Sequence, residues 1–234
     1  MNTDQLVQDI LKQLEATYSE KEIKGMQRFG ITAQKLFGTR KPVLRQITKP
    51  YRKNHELALR LWDEGYLETR IMAAWIDEPK RVTEEQMELW IKDIDSWDMC
   101  DQTMGSLFDK TPFAYDKAVE WTHREPEFEK RAGYVLMATL AVHDKKASDD
   151  KFYPFLELIS KETNDNRNFV KKAVNWALRQ IGKRNMSLNE KAVEIARDLS
   201  EHQDKAARWI GKDAYRELTD PVQRNRIRNK RAKL

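Results

Sequence analysis

Apolar side chains recur at every third or fourth position along most of the chain, which is the period of amphipathic helices. Leu6, Ile10 and Leu14, for example, share one face of a predicted helix over residues 4–18. The same pattern predicts helices over residues 20–36, 42–47, 54–65, 67–78, 83–94, 97–110, 112–122, 126–143, 149–160, 166–183, 187–199 and 201–218. No segment alternates apolar and polar residues as a half-buried strand does. The sequence therefore predicts an all-α protein of about 12–14 helices.

Capping residues mark several of these helix ends. Thr83 and Gln86 have the spacing of a capping box, in which each residue satisfies a backbone amide of the other. Asp95 or Ser96 is expected to cap the helix that follows it, and Gly38 is expected to end the helix over residues 20–36.

A basic residue followed by small and aromatic residues recurs along the chain. Lys172–Trp176 and Lys205–Trp209 share this pattern with a spacing of 33 residues, and Arg131–Val135 precedes Lys172 by 41 residues. Repeats of this length built from helix pairs are typical of an α-solenoid of HEAT-like repeats. We expect one repeat domain over residues 1–220 and a basic C-terminal tail over residues 221–234; a globular helical bundle is the alternative.

Composition excludes several classes of protein. A single cysteine rules out internal disulfide bonds, and the four histidines are scattered without metal-ligand spacing. The N-terminus lacks the apolar core of a signal peptide, and the longest uncharged run, residues 132–142, has only 11 residues. We therefore expect a soluble intracellular protein without membrane association, metal or cofactor.

The net charge of +5 comes from two short segments. Residues 167–184 and residues 221–234 each contain six cationic residues and no acid, while the rest of the chain has 31 basic and 38 acidic residues. Positive charge concentrated in this way is typical of a surface that binds a polyanion. The first segment lies on a predicted amphipathic helix, whereas the second could equally be a solvated chain end.

Two groups of residues have the spacing of a shared helix face. Trp97 and Asp101 lie four positions apart, and an aromatic ring beside a carboxylate suits a cationic ligand. Lys172, Trp176 and Arg179 are likewise one turn apart. The alternative is a structural role, with Trp97 and Trp176 in the core, Asp98 as a helix cap and Asp101 as a surface acid.

The stretch Val170–Arg184, followed by Lys205–Ile210, resembles the DNA alkylation repair enzymes built from HEAT-like repeats, the AlkD-type DNA glycosylases. The resemblance runs from about Met26 to about Leu218 and leaves the basic tail outside. In that family the concave face of the solenoid holds duplex DNA, and two tryptophans, an aspartate and an arginine lie at the lesion. The residues at the matching positions are Trp97, Trp176, Asp101 and Arg131, and the cations expected to contact DNA are Lys171, Lys172, Arg179, Lys183, Arg184, Arg208 and Lys212.

Two positions depart from some of these relatives. Ser96 stands in place of an aromatic residue, and Phe29 stands in place of a tyrosine. These differences bear on the range of substrates rather than on the chemistry.

The resemblance implies a glycosylase of base-excision repair. Such an enzyme hydrolyses the N-glycosidic bond of cationic N3- and N7-alkylated purines in double-stranded DNA, without base flipping. Asp101 is expected to stabilise positive charge at C1′, Arg131 to hold a phosphate, and the tryptophans to contact the sugar. We expect a monofunctional hydrolase that acts as a monomer in the cytoplasm, associated with the nucleoid.

Two other functions fit the same residues. One is a non-catalytic HEAT-repeat protein that recognises damaged or branched DNA through the two basic segments. The other is a HEAT scaffold that binds protein, which the cations of residues 167–184 disfavour.

Overall fold

The computed structural model describes residues 2–161 and 164–230. Within these residues all regular secondary structure is helical and no strand is formed, as the hydrophobic period predicts. The α-helices are α1 (Thr3–Glu15), α2 (Glu20–Arg28), α3 (Lys41–Thr48), α4 (His55–Asp63), α5 (Leu67–Ile76), α6 (Glu84–Lys92), α7 (Trp97–Ser106), α8 (Ala114–Glu120), α9 (Glu127–His143), α10 (Tyr153–Lys161), α11 (Asn168–Gly182), α12 (Met186–Glu201), α13 (Lys205–Thr219) and α14 (Pro221–Lys230). Short 3₁₀ helices occupy Lys49–Tyr51, Phe108–Lys110, Trp121–His123 and Asp149–Lys151.

The helices form two compact units that divide after Thr111. The first unit contains α1 to α7 and the second contains α8 to α14. A single repeat domain over residues 1–220 stays a prediction. None of the described helices combines the length and the apolar character that a membrane span requires.

The second predicted helix is shorter than its hydrophobic pattern suggests. It ends at Arg28 rather than at residue 36, and Gly30 follows in the left-handed region at φ +76°. Gly38 is also left-handed, at φ +77°, and a Cβ there would lie 2.5 Å from the Ser19 carbonyl oxygen. Gly38 therefore serves a tight turn that approaches α2 closely, rather than the predicted C-cap.

A buried glutamate holds the turn over residues 37–39. The Glu68 carboxylate accepts backbone hydrogen bonds from Phe37, Gly38 and Thr39 at 2.8–3.2 Å. Burial raises the pKa of Glu68, and the bonds from these amides oppose that rise. This tertiary contact satisfies three amides of the turn that no helix provides for.

Two predicted helix starts are confirmed. Thr83 caps α6 by accepting a hydrogen bond from the Gln86 amide at 3.1 Å, but the Gln86 side chain donates to the buried Asp77 instead of completing a capping box. Ser96, rather than Asp95, caps α7 by accepting from the Met99 amide at 3.3 Å.

The small residues of the repeated pattern lie where helices approach one another. A Cβ at Gly133 of α9 would lie 2.7 Å from the Thr122 amide nitrogen, and a Cβ at Gly211 of α13 would lie 2.7 Å from the Ala196 carbonyl oxygen. Ala173 and Ala206 are fully buried or nearly so. Gly133 thus lets α9 approach α8 and the 3₁₀ helix Trp121–His123, and Gly211 lets α13 approach α12.

The segment predicted as a basic tail is helical as far as the structure describes it. Residues 221–230 form α14, which packs on α13 and α12, and Ile227 is only 1% exposed. Residues 231–234 of the predicted tail lie outside the described residues.

Candidate functional site

Helix α7 presents one partly exposed face. Trp97 and Asp101 are half-buried and lie one turn apart on this face, while Met99, Cys100 and Thr103 on the other side are buried. The α7 face, as we call it, consists of Trp97, Asp101, Gln102, Gly105 and Ser106. Both residues that the sequence singled out in this helix are therefore accessible from the same side.

The orientation of the Trp97 ring is fixed by a backbone group. Its indole Nε1 donates a hydrogen bond of 2.9 Å to the carbonyl oxygen of Phe29, the C-cap residue of α2. The Phe29 ring itself is 75% exposed. Because the acceptor is main chain, exchanging phenylalanine and tyrosine at this position would leave the Trp97 hydrogen bond unchanged.

The neighbouring carboxylate of Asp98 has a different environment. It is 5% exposed and forms an ion pair with Lys41 at the start of α3. The structural alternative in which Asp98 caps α7 is wrong, since Ser96 is the N-cap. No three of the described His, Cys, Asp and Glu residues are grouped so that they could hold a metal ion.

A second aromatic residue, Trp75, flanks the α7 face. In the sequence it ends the stretch Arg70–Trp75, a further copy of the pattern of a basic residue followed by small and aromatic residues. Trp75 of α5 donates its indole N–H to the Gln102 side-chain oxygen at 3.0 Å. The Arg45 guanidinium stacks over the Trp75 ring at 4.4 Å from its centroid. Lys41 and Arg45 lie one turn apart on α3. This i, i+4 spacing of two cations is the sequence signal that could have pointed to α3 as a neighbour of the α7 face.

In the second unit, Trp176 lies on the partly exposed side of α11. The α11 face consists of Lys172, Trp176, Arg179, Gln180 and Lys183, and all of its members are half-buried or exposed. Asn175, next to Trp176, is buried and donates its side-chain N–H to the Ile210 carbonyl oxygen at 3.2 Å. The face predicted from the i, i+4 and i, i+3 spacing is therefore present.

Arg131 lies in the buried part of α9. Only 5% of it is exposed, and its Nη1 donates a 2.6 Å hydrogen bond to the Phe169 carbonyl oxygen in α11. This bond ties the first half of α9 to the start of α11. A phosphate contact for Arg131 stays a prediction.

Carboxylates of α13 partly neutralise the α11 face. Arg179 forms an ion pair with Glu217 and lies 3.8 Å from Asp213, and Lys183 pairs with the same Glu217 at 2.6 Å. Burial raises the pKa of Glu217, but the hydrogen bonds from Lys183 and Arg179 outweigh it, so the pKa is lowered overall. Arg167 also forms an ion pair, with Asp165, so three of the six cations counted over residues 167–184 are paired within the unit.

Two of the other predicted cations hold backbone carbonyls. The Arg184 guanidinium donates to the Ala141 and Ala147 carbonyl oxygens at 3.1 and 2.6 Å and stacks over the Phe152 ring. Arg208 donates to the His202 carbonyl oxygen at 3.0 Å. These contacts give Arg184 a structural role in holding the loop after α9.

The remaining predicted cations lie beside an exposed aromatic ring or in solvent. The Lys171 ammonium lies 5.1 Å from the centroid of the Trp209 ring, which is 40% exposed. Lys172 and Lys212 are exposed. A cation next to an accessible indole can contact both the phosphates and the bases of a nucleic acid.

Comparison with family models matches residues 10–218 to the family described as DNA alkylation repair enzyme. The chain belongs to this family. The match includes α2 to α13 and all the residues of the α7 and α11 faces, and it excludes α14.

A solved structure shows the same fold. It is described as representing a new family of proteins related to the HEAT-like repeat DNA glycosylases with affinity for branched DNA structures. The TM-score is 0.76 at 23% sequence identity, over 94% of this chain and 95% of that one. This member of the DNA alkylation repair enzyme family thus has the HEAT-like repeat fold, as the repeat spacing predicts. A search of the curated proteins gives no match.

Glu217 provides a test of the α11 face as a DNA-binding surface. Glu217→Gln removes the carboxylate that pairs with Arg179 and Lys183. We expect undamaged duplex DNA to bind severalfold more tightly, with a steeper dependence on salt, because the two cations gain access to phosphates. Affinity measured by fluorescence anisotropy at several salt concentrations checks this.

The matched control is Glu194→Gln, which releases Lys191 on α12, a lysine outside the α11 face. Equal effects of the two variants on DNA affinity would contradict the assignment of the α11 face as a DNA-binding surface.

The lowered pKa of Glu217 also has a consequence for stability. Its ion pairs stabilise the unit above the ordinary glutamate pKa of 4.5, and this stabilisation is lost as the pH falls through the lowered pKa.

Proposed function

We propose that the chain is a monofunctional DNA glycosylase that hydrolyses the N-glycosidic bond of N3- and N7-alkylated purines in double-stranded DNA. Membership of the DNA alkylation repair enzyme family supports a role in repair. The observation that carries the finer proposal is the α7 face, on which the half-buried Trp97 and Asp101 lie one turn apart.

The chemistry suits a carboxylate without a general acid. A purine alkylated at N3 or N7 is cationic, so it leaves C1′ as a neutral base and needs no proton from the protein. The sugar develops positive charge at C1′ as the bond breaks, as in other glycosyl transfers. Asp101 stabilises this charge, and a water molecule then attacks C1′ and gives up its proton, which leaves an abasic site.

The tryptophans complete the proposed environment. The Trp97 ring, oriented by the Phe29 carbonyl, contacts the sugar and favours a cationic species over a neutral one. A contact of Trp176 with the sugar stays a prediction from the family resemblance. Because the lesion itself activates the bond, we propose that the base need not leave the helix, in contrast to the base flipping of most glycosylases.

The test is the release of base from a duplex that carries one N7-methylguanine. We expect free 7-methylguanine and an abasic site in single-turnover reactions with excess protein, and no product from the unmodified duplex. Chromatography detects the base, and strand cleavage in alkali detects the abasic site. A protein that binds the damaged duplex tightly but releases no base would refute the proposed activity.

Binding of branched DNA without chemistry is the second candidate. The solved structure with the same fold belongs to a family described as having affinity for branched DNA. In a competition assay, this function predicts that a four-way junction displaces the chain from a duplex of equal length, whereas a glycosylase prefers the methylated duplex. The monomeric state and the cytoplasmic location stay predictions.

A further inference from the structure

Helix α14 is a basic helix fixed to the second unit by a single apolar residue. It contains no acidic residue, and Arg224, Arg226 and Arg228 follow one another at alternate positions. Ile227 is 1% exposed, whereas Arg226 and Arg228 on either side of it are exposed. Successive residues of a helix are 100° apart, so the two arginines lie on opposite flanks of the buried contact.

The outermost positions of α14 are polar and uncharged. Asn225 and Asn229 are one turn apart on the side opposite Ile227, and both are exposed. The helix therefore presents two amide side chains outwards with one arginine on each side. The Arg228 guanidinium donates to the Asn225 side-chain oxygen at 3.3 Å, which helps to position that cation.

The arginines of α14 differ from the cations of the α11 face in their partners. Arg179 and Lys183 are paired with Glu217, but no carboxylate among the described residues forms an ion pair with Arg226 or Arg228. An exposed guanidinium without a carboxylate partner retains its full charge for an external anion. Helix α14 thus carries two exposed arginines that no carboxylate among the described residues neutralises, and the family match ends before it, at residue 218.

We propose that α14 is a second DNA-binding surface, which lies along a groove and places Arg226 and Arg228 against the two phosphate backbones that border it. An α-helix with its side chains is about 10–12 Å across, which is comparable to the width of the major groove, about 12 Å. The contact is independent of sequence and of damage, and it increases affinity without taking part in hydrolysis. The proposal rests on the proposed function only in that DNA is the ligand.

The salt dependence of binding tests this arrangement. We expect Arg226→Gln and Arg228→Gln each to reduce the slope of log K against log salt by about one, and the double variant to reduce it by about two. At moderate salt, the double variant is expected to bind an undamaged duplex about tenfold more weakly. Single-turnover release of 7-methylguanine at saturating protein is expected to equal that of the unaltered chain.

Two further variants keep the test decisive. Arg226→Lys with Arg228→Lys preserves the charge and is expected to retain the salt slope. Lys12→Gln with Lys21→Gln removes the same charge from exposed positions of α1 and α2 and is expected to change the slope by less than one. An unchanged slope in the α14 double variant would overturn the proposal, and so would an equal loss in either comparison variant. A failure of base release by every protein, with these slopes as expected, would refute only the glycosylase.

Discussion

Replacing Asp101 with asparagine is expected to slow the release of 7-methylguanine by roughly 100- to 1,000-fold. Asparagine keeps the size of the side chain but removes the negative charge that the developing cation at C1′ requires. The affinity for a methylated duplex is expected to stay within a few-fold, because a carboxylate repels phosphates and contributes nothing to their binding. Single-turnover rates at saturating protein, measured beside anisotropy titrations, separate these two effects.

Asp98 supplies the matched control on the same helix. Asp98 is 5% exposed and its carboxylate is paired with Lys41, so Asp98→Asn is expected to lower the free energy of unfolding. The folded variant is expected to release 7-methylguanine at a rate within tenfold of that of the original protein. Equal losses in the rate of 7-methylguanine release by the two variants would show that α7 tolerates no change of charge. If Asp101→Asn released the base as fast as the original protein, Asp101 would have no role in the mechanism.

A methyl group at Gly211 is expected to cost about 2–3 kcal/mol of the free energy of unfolding. A Cβ at this position would overlap the Ser200 amide and lie 2.7 Å from the Ala196 carbonyl oxygen. Both obstacles are backbone atoms of α12, so the contact cannot be relieved by a side-chain rotation. Gly211→Ala therefore has to separate α12 from α13, and denaturation in urea measures the cost.

Gly25 offers the opposite environment for the same substitution. It lies inside α2, and a methyl group added there would have no atom within 4 Å beyond its own helix backbone and chain neighbours. Gly25→Ala is expected to be neutral or to stabilise the protein by up to about 1 kcal/mol, because alanine loses less conformational freedom in a helix. If Gly211→Ala proved as harmless as Gly25→Ala, close packing would not be the reason for glycine at position 211.

The sequence determined the features that depend on neighbours along the chain. The period of apolar residues was sufficient to predict an all-helical protein, because it records which side of each helix is buried. The shared faces of Trp97 with Asp101 and of Trp176 with Lys172 followed from helix geometry alone. Ser96 and Thr83 were recognisable as caps, since a cap bonds to an amide only a few residues away.

Contacts between residues distant in the chain decided the rest. The sequence counted Arg179 and Lys183 as DNA-binding cations, and only the packing of α13 beside α11 places Glu217 between them. The turn over residues 37–39 is likewise held by Glu68, about thirty residues further along the chain.

The tail shows the same division. Composition identifies residues 221–234 as basic, but a charge count cannot distinguish a solvated chain end from a docked helix. A short basic segment is not expected to stay helical without tertiary packing. Residues 221–230 are helical because Ile227 is buried against the second unit. The local pattern thus set which helices form, and long-range packing set which of their charges remain available to a ligand.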